Sequence, residues 1–239
     1  MKTCSEKEVK DYLQIPSEKR EKDFLSNIIV ENADFAGLDF SNQNLEYSSF
    51  WNCNLEGANF SRAFLKHGCF TGSNLKNCNF RNANLVEADL RRIDISGSDF
   101  TDADMRFTAL EGADMSNIIV TDGTNGMHML CPEEGAFIGW KVCFDYRIVM
   151  LLVPADAKRR NGTSLEIRVD KAKVMTITSV DYKENFDEAM SYVDQDFFYK
   201  KGQWVFANNF DDRRFVDSAG GIHIWMDRQA AVDYMAKNV

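Results

Sequence analysis

Residues 53–90 read CNLEGANFSRAFLKHGCFTGSNLKNCNFRNANLVEADL, and every fifth residue in that stretch is large and apolar. The row Leu55, Phe60, Leu65, Phe70, Leu75, Phe80, Leu85, Leu90 reaches back through Phe50, Leu45 and Phe40 to Phe35. It runs forward through Ile95, Phe100, Met105 and Leu110 to Met115, seventeen positions without a miss. Val120 fits as an eighteenth. Two residues earlier in each unit a small side chain predominates, as at Ala33, Cys53, Ala58, Ala63, Gly68, Cys78, Ala83, Ala88 and Ala103. The residue between them is mostly Asn or Asp, whose short side chains bond nearby backbone and so serve turns. Neither a helical nor a strand period produces a strict five. A short fixed period means a solenoid, in which each unit buries its apolar residue by stacking on its neighbours.

The pattern resembles the pentapeptide repeat family, Ala-(Asp/Asn)-Leu-x-x, written here as ANF, CNL, ANL, ADL and ADM over about residues 31–120. The resemblance implies a right-handed quadrilateral β-helix with four units, hence twenty residues, per coil. Phe40, Phe60, Phe80 and Phe100 would then stack as an inner aromatic ladder. At strand-like spacing of about 4.8 Å, about four coils make a rod about 20 Å long.

The flanks read differently. Residues 1–30 are expected to form a helical N-terminal cap, because an open coil edge invites pairing with another chain. Ser5-Glu6-Lys7-Glu8 reads as a capping box opening a helix with Val9, Tyr12 and Leu13 on one side. Pro16 ends that helix, and Ser17 is expected to cap a second short one running to Phe24 and Leu25. After Val120 the period stops at TDGTNG, and residues 121–239 read as an α+β domain. GAFIGWKVCF, YRIVMLLVPA, SLEIRVDKAKVMTITSV, FYKKGQWVFAN and GGIHIWM read as strands, and DRQAAVDYMAKNV as a closing helix with Asp227 at its N-cap. The whole is expected to be mainly β.

Cys131-Pro132-Glu133-Glu134-Gly135, Phe137-Ile138-Gly139-Trp140-Lys141, Leu152-Val153-Pro154-Ala155-Asp156-Ala157-Lys158-Arg159 and Phe210-Asp211-Asp212-Arg213-Arg214 carry a second resemblance. They are similar to an uncharacterised domain that often follows pentapeptide repeats in bacterial and phage-encoded proteins. Ser218 stands where that pattern leads one to expect cysteine. The resemblance implies no activity.

Composition narrows the function. The 239 residues carry 28 basic and 37 acidic side chains, a formal net charge of -9, which argues against direct nucleic-acid binding. No apolar run of about 18 residues is present to span a membrane. Six cysteines without CxxC pairs, and an N-terminus of alternating charge with no apolar core segment, point to the cytosol. His67, His128 and His223 lie far apart, so no metal site is expected. No Walker loop, GxGxxG or GxSxG is present, so neither cofactor nor catalytic residue is expected, and the chain does not read as an enzyme.

Two surfaces remain. Tyr47, His67, Glu87 and Phe107 are twenty apart and form an outward column. Phe64 replaces a turn-forming Asn or Asp, and Trp51 lies on the adjoining edge. Grouped exposed aromatics mark a contact surface. Tyr47, Trp51, Phe64, His67 and Phe107 are therefore the expected partner-binding residues. In the second domain Lys141, Arg159, Arg168, Lys171, Lys173, Arg214, His223 and Trp225 are candidates to hold a small anionic, nucleotide-like ligand. Arg168, Lys171 and Lys173 would alternate along one strand and share a face.

The leading expectation is a non-enzymatic protein-interaction module, a phage or bacterial factor acting on a host protein, with homodimerisation through either end also open. Ligand sequestration by the second domain is the alternative. Mimicry of DNA to protect a topoisomerase, known in the resembled family, ranks third. Residues 31–120 hold 13 acids against 7 bases, about half the charge density of a duplex at one charge per about 1.7 Å.

Overall fold

The computed structural model describes residues 1–216 and 219–238, without the side chains of Lys237 and Asn238. Ser218 lies outside the described residues. The chain is mainly β and divides into two compact units, one built on Met1–His128 and the other on Met129–Arg214 and residues 219–238. Among the described residues no helix is long and apolar enough to cross a membrane.

In the first unit the five-residue period becomes a twenty-residue rung. Parallel bridges join Asp34 to Asn54, Asn59 to Asn79 and Asp94 to Asp114, always twenty apart, up to Asp99 and Ile119. Phe60 N–H donates to Asn79 O (2.7 Å), and Asn79 N–H returns to Ala58 O (3.0 Å). Backbone groups that would be orphaned in a lone coil are thus paired with the next. Phe35 through Met105 of the apolar row are fully buried. The ladder forms as expected: Phe40–Phe60, Phe60–Phe80 and Phe80–Phe100 stack at 5.1, 5.1 and 4.9 Å.

Each unit turns at the second residue after the apolar one. All nineteen such residues from Asn27 to Asn117 have φ near +60°, five of them glycine. This left-handed conformation is open to Gly and tolerable to Asn, but disfavoured by other side chains. Small inward hydroxyls tie rungs together. Ser98 Oγ donates to Leu75 O (2.8 Å) and accepts from Cys78 N–H (2.9 Å), and Ser73 bridges Phe50 O and Cys53 N–H in the same way.

The row ends one unit early. Val120 is exposed, not inward. One extra residue enters the next rung, so Asp104 pairs with Asn125, twenty-one residues on. Buried Thr124 then takes the small inward place and donates to Phe100 O (2.9 Å).

At the other end, α1 (Glu6–Gln14) carries the expected capping box, with Ser5 and Glu8 bonded reciprocally. Its Val9 and Tyr12 are buried. The second short helix is only a 3₁₀ turn, Ser17–Lys19, with Ser17 inside it; Pro16 holds the cap position without a side-chain bond. Strands enter this segment too. β1 (Lys2–Thr3) pairs in parallel with β2 (Ile28–Glu31), which pairs with β3 (Ser49–Trp51) on the first full rung.

The second unit holds two main sheets. β4 (Phe137–Cys143) and β5 (Arg147–Val153) form a hairpin, and β8 (Lys171–Ser179) and β11 (Trp204–Phe206) extend it in the order β11-β8-β5-β4. β6 (Arg159–Asn161), β7 (Ile167–Val169) and β12 (Ile222–Ile224) form the second, ordered β12-β7-β6. β9 (Glu188–Met190) and β10 (Phe198–Lys200) pair separately. The segment 164–180 is therefore not one strand. It breaks at Asp170, where Lys158 N–H donates to the Asp170 carboxylate (2.9 Å), and β7 and β8 go to different sheets. α2 (Arg228–Asn238) closes the chain, with Asp227 accepting from Ala230 N–H (2.8 Å) as its N-cap. A Cβ at Gly139 would lie 2.6 Å from Ile224 Cδ1, so any larger residue there requires the Ile224 side chain to shift.

Candidate functional sites

On the first unit one corner differs from the others. Its left-handed positions read Asn27, Tyr47, His67, Glu87 and Phe107. The remaining corners hold Gly, Asn or Asp, broken only by Arg62 and Arg92. Tyr47 stacks on His67 (4.6 Å between ring centroids), and His67 Nδ1 meets Glu87 Oε2 at 3.1 Å. Tyr47, Phe64 and Phe107 are half exposed, at 49%, 50% and 47%. Phe64 sits three residues before His67, at the bridge position ahead of that turn, and lines a cleft of about 520 Å³ with Tyr12, Arg20 and Asn44. Trp51, at the end of β3 opposite Glu31, is half-buried.

Four of the thirteen acids in residues 31–120 are paired with a nearby Lys or Arg. Asp89 and Asp104 are each gripped through both oxygens by Arg91 and Arg106. Asp94 pairs with Lys76 and Asp99 with Arg81.

The second unit separates the eight anion candidates. Lys141, His223 and Trp225 line one cavity of about 590 Å³, together with Glu166, Tyr199 and Tyr234. The others serve elsewhere. Arg159 is buried and bound to the carbonyls of Pro132, Gly135, Pro154, Ala155 and Ala157. Arg168 donates to the carbonyls of Asp211 and Arg213, and Arg214 to that of Asn161. Lys171 pairs with Asp156 at 2.6 Å, and Lys173 lies in β8 between Leu152 and Trp204. The expected common face of Arg168, Lys171 and Lys173 does not exist, because they occupy two sheets. A guanidinium carries five donors in a fixed fork, which suits it to converging loop carbonyls as well as to phosphate.

Glu166, Tyr199 and Tyr234 were not anticipated. Glu166 had a faint signal, standing two residues before Arg168 across from β12; the two tyrosines had none. Burial pushes the Tyr199 phenol up and the Lys141 ammonium down. Among the described residues no three His, Cys, Asp or Glu side chains are grouped to hold a metal ion.

Comparison with known proteins agrees with this division. Residues 43–118 match a family model described as a pentapeptide repeat region, and residues 127–231 match a family of unknown function (DUF5758). The chain thus matches a pentapeptide repeat region followed, at its C-terminal side, by a domain of unknown function. Among solved structures it is similar to a pentapeptide repeat protein of the Arabidopsis thaliana thylakoid lumen, at 21% identity and TM-score 0.35, covering 44% of this chain and 72% of that one. A pentapeptide repeat protein from Nostoc PCC 7120 gives 28% identity and TM-score 0.35, over 36% of this chain and 71% of its own. QnrB1, a plasmid-mediated fluoroquinolone resistance protein, gives 19% and 0.25, over 43% and 86%. No curated protein matches the sequence.

Proposed function

We propose that the protein is a non-enzymatic interaction module whose repeat, read as a right-handed quadrilateral β-helix of about four coils with an N-terminal cap, presents the Tyr47–Phe107 corner to a protein partner. One observation carries this reading: the corner places Tyr, His, Glu and Phe where the backbone favours Gly or Asn, and leaves its aromatic rings half exposed. Backbone strain retained at a surface points from geometry to a role. Large exposed aromatics grouped together supply the anchors that dominate protein interfaces. The ion pairs that neutralise Asp89, Asp94, Asp99 and Asp104 weigh against duplex mimicry, which needs unpaired charge. Six free cysteines accord with a cytosolic setting. A host protein is the partner class to test first, a choice that rests on the phage association of the second domain.

The test compares wild type with a Tyr47→Ser, Phe64→Ser, Phe107→Ser variant in affinity capture from host extract. The variant should fold and lose the species that wild type retains. A folded variant that captures the same species overturns the reading.

A further inference from the structure

Lys141 stands on the face of β4 that it shares with Cys143, and only 7% of it is exposed. Its ammonium donates to His223 O at 3.3 Å, with no carboxylate within ion-pair distance among the described residues. The titratable groups around it are Cys143 on β4, Glu166 before β7, Tyr199 on β10, His223 on β12 and Tyr234 on α2, with Tyr192 and Asp194 also in the cavity wall. Glu166 is already engaged: His223 Nδ1 meets its Oε1 at 2.8 Å, while Nε2 faces Ala219 O at 2.9 Å. A buried cation without a counter-charge is costly, and an anion entering the site would supply one.

The cavity beside it, at about 590 Å³, falls within the range of about 300–1,000 Å³ common to small-molecule sites. Trp225, Tyr199 and Tyr234 give it an aromatic wall, and the Trp225 and Tyr234 rings lie 4.7 Å apart. Trp225 is fixed by a reciprocal backbone pair with Trp140, both bonds 2.8 Å. The charge count sets the ligand's valence. Arg159, Arg168, Arg214 and Lys171 are occupied outside the cavity, while Glu166 and Asp194 inside it would repel a polyphosphate.

We propose that this cavity binds a small aromatic monocarboxylate, its carboxylate on Lys141 Nζ and its ring against the wall formed by Trp225, Tyr199 and Tyr234. This goes beyond the interaction reading and stands independently of it. It also narrows the nucleotide-like ligand expected from sequence to a monoanion. Burial pushes the Lys141 ammonium down and an adjoining carboxylate pushes it back up, so binding the acid favours the protonated side chain.

Calorimetric titration of the full chain with benzoate and indole-3-carboxylate, in two buffers of different ionisation enthalpy, tests the assignment. Saturable binding of a carboxylate is expected, and the difference in heat between the buffers reports any proton taken up. Benzamide and ATP should bind more weakly. Lys141→Met should weaken carboxylate binding about thirty-fold or more, since it removes one partner of a buried charge pair. Met keeps the apolar stem and removes a buried amine, so the variant should fold, which its melting curve checks. If it does not fold, the preference for acid over amide decides alone. Equal affinity for benzoate and benzamide, tightest binding by ATP, an unaffected folded Lys141→Met, or no saturable binding of either acid at millimolar concentration overturns the proposal.

Discussion

The ring of Tyr47 stacks on that of His67 at 4.6 Å, and both residues hold left-handed backbones, with φ of 60° and 57°. Stacking returns some of the free energy that the turn conformation costs at each position. A left-handed residue other than Gly or Asn is disfavoured by about 1–2 kcal/mol, whereas an aromatic pair contributes about 0.5–1.5 kcal/mol beyond area burial. One stack therefore offsets only part of the combined cost of about 2–4 kcal/mol at Tyr47 and His67, and Phe107, for which no ring contact is seen among the described residues, lacks even that offset.

Phe107→Asn should accordingly stabilise the repeat by about 1 kcal/mol, as Asn adopts the left-handed turn readily. Tyr47→Asn should change stability less, because it also gives up the stack. Denaturant unfolding of the two variants beside wild type checks the order. A Phe107→Asn protein less stable than wild type would mean that the ring packs to advantage in the isolated chain. The same substitution should weaken partner capture, so that stability and binding move in opposite directions.

Ser98→Ala should destabilise by about 1–3 kcal/mol, because Leu75 C=O and Cys78 N–H would each lose a partner in a dry interior. Ser116→Ala is the control. Ser116 donates to Asp114 at an exposed turn, where water replaces the bond, so little change is expected. Equal effects at the two sites would contradict the bridging role assigned to inward hydroxyls.

The repeat was legible because its period is forced by geometry: an apolar side chain can enter the interior only once per side of the coil, and sequence records that directly. The capping box of α1 and the Asp227 N-cap were legible for a similar reason, each being a local bond between residues at fixed spacing. β6 and β9 were not, since RRN and EAM carry no alternation and are held by partners far away in sequence. Arg159 misled for a physical reason. Nothing local distinguishes a guanidinium that gathers loop carbonyls from one that waits for an anion. The corner at Tyr47–Phe107 was visible as a column, but its strain is a matter of φ.

Thiol chemistry separates the cysteines. Burial pushes the Cys78 and Cys143 thiols up to about 12, and Cys4, Cys53 and Cys131 are also buried and raised. Cys69 is the one cysteine that is not buried. Since the thiolate is the reactive form, brief alkylation of the native protein should label Cys69 first and leave the other five until unfolding. Peptide mass mapping reads the order. Early labelling of Cys78 would mean that the coil opens locally at that rung.

Acid should weaken the first unit through Asp89 and Asp104. The Arg91 guanidinium bonded to Asp89, and Arg106 to Asp104, hold both carboxyls below the usual range. A group depressed in the folded state contributes stability that is complete above its unfolded pKa of about 3.9 and is lost as pH falls through the lower, folded value. Unfolding midpoints should therefore be level from neutral pH down to about pH 5 and decline below it. Asp89→Asn should be less stable than wild type at neutral pH and converge with it in acid, where the wild-type carboxyl is also uncharged. Added salt should shrink the neutral-pH difference, because Arg91 is half exposed and the pair is screened. A difference that persists unchanged in acid would show that Asp89 acts through its turn bond to Arg91 N–H (3.1 Å), and not through its charge.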